Sequence, residues 1–173
     1  MSVRIERSTT NPVEITFDEN NVKIIEKWFK DQNFNIYHRL DGPSYIHYYE
    51  NGNLQHESWY QNGKLHREDE PSFSIYYKNG NIKQQMWYQN GKCHREDGPA
   101  YISYYKNGNI KNTRWIQNGQ FHCIDGPAFI EYDENGVKTL EKWYIRDKLS
   151  DKKLFSLHCK VAKLCESMSI TAF

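Results

Sequence analysis

The feature that most constrains this chain is a repeat with a step of 28 residues. His38, His66, His94 and His122 follow one another at that interval, and so do Trp59, Trp87, Trp115 and Trp143. The Asn-Gly pairs at 51–52, 79–80, 107–108 and 135–136 keep the same step, as do Pro43, Pro71, Pro99 and Pro127. The residues that punctuate structure are used up by this pattern. The five prolines share one slot once Pro12 is counted, the five tryptophans share another once Trp28 is counted, and the ten glycines fall into three slots. Breakers that recur in register specify one small supersecondary unit copied in tandem. Such a unit cannot bury its apolar face alone and must stack on its neighbours.

The residues between the breakers predict strands. In the unit from Pro99 to Gly126, "AYISYYK" alternates and is rich in β formers; Asn-Gly, "NIKNTRWIQ" and a second Asn-Gly follow. Two β-type runs joined by Asn-Gly read as a hairpin with a type I′ turn. The second Asn-Gly turns the chain into "KCHREDGP" or its equivalents, which lead to the Pro opening the next unit. Stacking then aligns like residues: Tyr48, Tyr76, Tyr104 and Tyr132; Tyr45, Phe73, Tyr101 and Phe129; the small Ser44, Ser72, Ala100 and Ala128; and the tryptophans from Trp59 to Trp143. Identical rings on neighbouring units are expected to stack. The expected fold is an all-β repeat protein, an elongated, twisted antiparallel sheet of about ten strands.

Three segments follow. Residues 1–11 read as an N-terminal arm, 12–150 as a five-copy hairpin array, and 151–173 as an amphipathic helix and tail. Pro12 to Pro43 spans 31 residues, which puts three extra residues in the first copy, most simply in the loop after Trp28. The last copy fades at "WYIRDKLS", where Arg146-Asp147 replaces Asn-Gly and Ser150 replaces the His. Beyond it, Leu154, Leu157, Val161, Leu164, Cys165 and Met168 share a stripe about 100° wide on a helix, with Ser150 or Asp151 as N-cap. The expectation is a C-terminal capping α-helix folded over an open end or face of the sheet. The rival readings are a helix offered to a partner or laid on a membrane surface.

The repeat "WYQNGKCHREDGPAYISYYKNG" resembles the MORN-repeat variant found in multi-copy proteins of giant DNA viruses such as mimivirus relatives, and in related bacterial proteins. The likeness runs over about residues 12–150 on the pattern Trp-Tyr-x-Asn-Gly-Lys-x-His-Arg-x-Asp-Gly-Pro, with departures at Glu70, Cys123 and Arg146-Asp147. The resemblance implies a hairpin array with a scaffold or interaction role and no particular activity. It also implies a viral protein acting in the host cytoplasm or in virion assembly.

The side chains that invite a chemical reading are the His-Arg-x-Asp elements. Equivalent histidines one unit apart lie roughly 10 Å apart, too far to share one zinc ion. Near-identical copies along a rod also differ from a catalytic site, which gathers different residues into one pocket. No phosphate-binding glycine motif is present, since every glycine sits in a turn slot. The reading is therefore a non-enzyme without cofactor or metal. The His-Arg-x-Asp elements are joints, their Asp accepting N–H groups in the turn and their Arg pairing with nearby carboxylates. Lys64, His66, Arg67, Lys92, His94 and Arg95 also form a candidate partner-binding face. The expected partner is a host or viral protein, or a second copy in a homodimer. The alternative is binding of lipid headgroups or phosphorylated ligands along the same face, with membrane association the lesser reading. Nucleic acid is disfavoured by the net charge of +1 and by Glu68, Asp69, Glu96 and Asp97 beside the basic residues. Four cysteines without a Cys-x-x-Cys pair read as reduced thiols in a cytoplasmic setting.

Overall fold

A computed structural model of the chain describes residues 4–8, 12–152 and 156. The elements bounded within these residues are strands. The main sheet is a twelve-stranded antiparallel meander in which strands that pair are successive members of the sheet order. It begins with β1 (Arg4–Ser8), β2 (Val13–Phe17) and β3 (Lys23–Trp28). It continues through β4 (Tyr45–Tyr48), β5 (Leu54–Ser58), β8 (Phe73–Tyr76), β9 (Ile82–Met86), β12 (Tyr101–Tyr104) and β13 (Ile110–Arg114). It ends with β16 (Phe129–Tyr132), β17 (Lys138–Ile145) and β18 (Lys148–Ser150). Beside it stands a rank of two-residue ribbons: β6 (Tyr60–Gln61) with β7 (Lys64–Leu65), β10 (Tyr88–Gln89) with β11 (Lys92–Cys93), and β14 (Ile116–Gln117) with β15 (Gln120–Phe121). Each unit is thus a long hairpin in the sheet followed by a short ribbon at its side.

The two Asn-Gly pairs of a unit make different turns. The type I′ turn belongs to the second pair, not to the first as the sequence suggested. Asn62 and Gly63 both have positive φ (49° and 77°), as do Asn90-Gly91 and Asn118-Gly119, and each pair closes a ribbon. At Asn51-Gly52 only the glycine is left-handed. Gly52 N–H donates to Tyr49 O and Tyr49 N–H donates to Asn53 O, both at 2.8 Å, which is a three-residue loop ending in a glycine bulge. A register shift follows at Tyr48 and recurs at Tyr76, Tyr104 and Tyr132, so each hairpin carries a bulge that adds twist. The first copy bridges Phe29 to Tyr37 across residues 31–35, and its three extra residues lie there.

The expected C-terminal capping helix does not stand. No helix is among the bounded elements of the described residues, and Ser150, read as a helix N-cap, is the last residue of β18, paired with Trp143. The cause is local. Arg146 and Asp147 both adopt positive φ (48° and 63°) and stand in for Asn-Gly, so the fifth copy completes its ribbon. The remainder of the segment, 153–155 and 157–173, lies outside the described residues. At the other end, residues 4–8 of the expected arm form β1, whose charged and largely exposed side chains suit an edge strand. Glu14, buried between β1 and β3, takes Lys27 Nζ and Arg7 at 2.7 Å each; the Lys27 hydrogen bond, with Arg7 adding to it, outweighs burial and holds its carboxyl below the ordinary range.

Three sets of bonds join one unit to the next. Strands pair in the sheet, as β5 does with β8. Ribbons bond to ribbons: Gly63 N–H donates to Tyr37 O, Gly91 to Leu65, Gly119 to Cys93 and Asp147 to Phe121. Turns clasp turns, with the hydroxyls of Tyr49, Tyr77 and Tyr105 donating to the carbonyls of Tyr76, Tyr104 and Tyr132 at 2.8–2.9 Å. Asn53 and Asn109 add side-chain amides to the carbonyls of Lys78 and Glu134. Removing one clasp, as in Tyr77→Phe, leaves the Tyr104 carbonyl without that donor. It is expected to cost about 0.5–1.5 kcal/mol in urea unfolding, with Tyr49→Phe and Tyr105→Phe costing the same. Three unchanged midpoints would show that the clasps do not hold the stack.

Candidate functional site

The repeated joint is built around an indole. Trp59 leaves β5, donates its backbone N–H to Ser72 O and accepts the backbone N–H of His66 at its own carbonyl. The ring then lies where the joint returns past it. Arg67 lays its guanidinium carbon 3.8 Å from the centroid of Trp59; Arg39 does the same over Trp28 at 4.1 Å, and Arg95 over Trp87 at 4.4 Å. Cation and ring face attract, with the guanidinium partly desolvated. A carboxylate completes the arrangement: Arg39 Nε donates to Asp41 at 2.9 Å and Arg95 Nε to Asp97 at 2.8 Å. The Arg95 guanidinium holds the Asp97 carboxyl below its usual range, and Arg39 does so for Asp41. The expected ring-on-ring ladder of tryptophans is therefore not the packing found. Ring contacts among the described residues do not join one tryptophan to the next, and arginine covers the indole instead. The Tyr48 row bonds polar groups on neighbouring strands: Tyr48 to Glu26, Tyr76 to Glu57 and Tyr104 to Gln85. Burial first, and then the Glu57 bond, push the Tyr76 phenol up to about 12.

The histidines tie successive ribbons together. His38, His66 and His94 each accept, at Nδ1, the N–H of the turn asparagine in the next unit: Asn62, Asn90 and Asn118, at 3.1–3.2 Å. An accepting Nδ1 places the ring proton on Nε2. In all three the backbone is the donor and the ring the acceptor.

Of the six residues of the candidate face, Lys64 and Lys92 are exposed at the start of β7 and β11. His66, Arg67, His94 and Arg95 are half-buried, with their polar atoms engaged in the joint. Cys93 is half-buried, and burial pushes its thiol up to about 11, far from the thiolate a nucleophile needs. Among the described residues no three His, Cys, Asp or Glu side chains gather as metal ligands.

Clefts of about 460 Å³ open between successive joints. One is lined by Asp69, Trp87, Gln89, His94, Arg95, Glu96 and Asp97, and Arg95 covers its indole. The next repeats it 28 residues on, from Asp97 through Trp115, Gln117 and His122 to Asp125, but with Cys123 for Arg95 and Ile124 for Glu96. This second cleft was not singled out from the sequence. Its signal was visible as the departure at Cys123, which reads there only as a weakened copy. The glycine of the joint follows the same logic. A Cβ on Gly98 would come within 2.8 Å of the Arg95 guanidinium, and one on Gly42 within 2.6 Å of that of Arg39, whereas one on Gly126 meets nothing within 4 Å among the described residues. Comparison of the chain with protein-family models, with curated proteins and with solved structures returns no match.

Gly98→Ala is accordingly expected to displace Arg95 and cost about 1 kcal/mol. Gly126→Ala, free of such contact and outside positive φ, is expected to gain about 0.4–1 kcal/mol from the stiffer unfolded chain. Urea midpoints of the two variants check both signs. A second expectation concerns pH. His56 sits between Tyr45 and Phe73, ring centroids 5.1 and 4.7 Å away, and burial first, then neighbouring His47, lower its pKa below the ordinary imidazole value. The unfolded chain then takes the proton first as pH falls. The stability contributed by neutral His56 is present above pH about 6.5 and is lost as pH falls through the lower folded value. His56→Phe keeps a ring in the row and is expected to flatten that part of the melting-temperature profile.

Proposed function

We propose that the chain is a non-enzymatic repeat scaffold whose stacked surface binds a protein partner. The observation that carries this reading is the form of the array. Twelve strands and a rank of ribbons are spread as one continuous surface, and the same groups return on it at each unit. Only six hydrophobic residues among those described are buried, two of them alanines, so most side chains are presented rather than packed away. A row of repeated groups suits an extended partner, whereas turnover calls for one converging cluster. Exposed Lys64 and Lys92, with the half-buried His66, Arg67, His94 and Arg95 behind them, form the face assigned to the partner. The resemblance to the MORN-repeat variant of giant-virus proteins supports a place in the host cytoplasm or in virion assembly, and a second copy of the chain is one candidate partner. The alternative, binding of lipid headgroups or phosphorylated ligands, draws on the same two lysines. Carboxylates at Glu68, Asp69, Glu96 and Asp97 beside them weaken it.

The test is capture with the whole chain as bait, followed by reconstitution from purified components. A stoichiometric complex that persists at physiological salt, and is weakened at least about tenfold by Lys64→Glu with Lys92→Glu, is the expected result. Binding to anionic vesicles or inositol phosphates that vanishes with added salt, without any such complex, would replace this reading with the alternative.

A further inference from the structure

Asn-Gly is a reactive pair as well as a turn. The backbone nitrogen of the glycine can close on the asparagine side chain, because a glycine places no Cβ in the way. The chain holds seven such pairs, at 51–52, 62–63, 79–80, 90–91, 107–108, 118–119 and 135–136. The dipeptide is the same throughout, so what separates the seven is how the fold holds each one. Closure needs two freedoms. The glycine N–H must leave its hydrogen bond, and the asparagine side chain must swing to meet the nitrogen.

Six of the seven are restrained. In the ribbons, the N–H groups of Gly63, Gly91 and Gly119 donate to the carbonyls of Tyr37, Leu65 and Cys93, one unit back, at 2.8–2.9 Å. The N–H groups of Asn62, Asn90 and Asn118 are bound at the same time by His38, His66 and His94. The backbone of each ribbon pair is thus tied to the preceding unit at both residues. In the sheet turns, Asn51 and Asn107 donate Nδ2 to Lys78 O and Glu134 O of the next unit at 3.0 Å, while Oδ1 accepts the N–H of Asn53 and Asn109. Asn79 keeps the second of these bonds, from Asn81 at 3.1 Å. Its turn is clasped forward by the Tyr77 hydroxyl and by Asn81 Nδ2 on Lys106 O.

The pair at Asn135 lacks these restraints. Asp133 stands in the slot of the clasping Tyr77, and Val137 in that of Asn81. The clasp arriving from the unit before lands on Glu134 O, ahead of the reactive pair. Gly136 N–H donates only within its own turn, to Asp133 O at 3.0 Å. Asn135 is exposed, and its side chain makes no hydrogen bond among the described residues. Freeing this glycine breaks a bond local to one turn, whereas freeing a ribbon glycine breaks a bond between units.

We propose that Asn135 is a modification site, at which the folded chain converts its own asparagine to aspartate and isoaspartate. Gly136 N loses its proton and attacks Asn135 Cγ. The new N–Cγ bond replaces the Cγ–Nδ2 bond, and Nδ2 takes up protons and departs as ammonia. Water then opens the resulting succinimide at either carbonyl. Water is the co-reactant, and nothing is oxidised or reduced. The product places a new carboxylate beside Asp133 and Glu134, and the isoaspartyl form also adds a carbon to the backbone of the turn. The site does not depend on whether the surface of the array binds a partner.

The test is ageing of the whole chain at mildly alkaline pH, folded and in urea. Each site is followed by peptide mapping that separates aspartate from isoaspartate, and each folded rate is divided by the rate of the same site in urea. Asn135 is expected to lead, its ratio exceeding those of Asn62, Asn90 and Asn118 at least about tenfold, with Asn79 next and Asn51 and Asn107 behind it. The first acidic species on native isoelectric focusing is expected to be missing from Asn135→Ser. Tyr77→Asp with Asn81→Val gives the Asn79 turn the residues of the Asn135 turn and is expected to bring Asn79 up towards Asn135. Equal ratios at the seven sites, a ribbon asparagine in the lead, or the same first acidic species in Asn135→Ser overturns the proposal. So does an Asn79 rate unmoved in a folded double variant. The ratios of the unaltered chain decide the matter even if that variant fails to fold.

Discussion

Everything in this array hangs on the crossing where a sheet strand becomes a ribbon. Ser44, Ser72, Ala100 and Ala128 occupy that crossing and are 0% exposed, and the largest side chains buried so completely are serines. The backbone passes so close that only a small side chain fits between strand and ribbon. The carbonyl of the residue there accepts the backbone N–H of the tryptophan of the preceding hairpin: Trp28 to Ser44, Trp59 to Ser72, Trp87 to Ala100 and Trp115 to Ala128. Where it is serine, the hydroxyl also takes the first ribbon N–H, as Ser44 does for Tyr60 and Ser72 for Tyr88. That pair of bonds sets the angle of the ribbon and so the place of the indole. The guanidinium then has a floor to lie on, and the histidine comes within reach of the next turn. A larger residue at the crossing would open the corner and lose all three together.

Among the described residues the sheet has little core with which to hold itself, and it is stabilised instead by polar contacts repeated along its length. Hydrogen bonds that are modest singly become effective when each unit makes the same set to the next, because stability in such stacks is a sum of nearest-neighbour terms. The ends follow from this. The clasping tyrosine donates forward, from Tyr105 to Tyr132 in the last instance, and the fifth unit has no successor in the array. At the equivalent position stands Asp133, whose carboxylate accepts the N–H groups of Asn135 and Val137 in its own turn. Asp18 does the same for Asn20 and Val22 in the first unit. The terminal turns are closed on themselves where the internal ones are tied to a neighbour.

The period, the hairpins and the small-residue slot were legible in the sequence because each depends on residue type at a fixed spacing. Which Asn-Gly forms which turn was not, since the same dipeptide serves a two-residue and a three-residue loop, and only the length of the paired strand separates them. The ribbons were hidden because two residues are too few for a β pattern to show. The helix expected after Ser150 came from an apolar stripe that says nothing of Arg146-Asp147, two non-glycine residues held left-handed by the hairpin they close. The stacking of arginine on tryptophan was missed for another reason. His-Arg-x-Asp reads as a cluster along the chain, while the indole it serves lies eight residues earlier in each of the second and third units and is brought over only by the fold.

Departures from the repeat then acquire different meanings. In the second unit Glu70 stands where the others have glycine. The joint absorbs it: Asp69 takes a positive φ of 60°, and Arg67 turns its ion pair from the aspartate to Glu70 while keeping its place on Trp59. One unfavourable backbone conformation is offset by a new pair, and the surface is little changed. In the fourth unit Cys123 takes the arginine slot and Ile124 the glutamate slot, while Trp115, Asp125 and Gly126 keep their places in the repeat. The change at Glu70 is absorbed within its joint, whereas the change at Cys123 and Ile124 alters which groups the joint presents, and in an array of near-identical units such a position is where one unit can differ from the next.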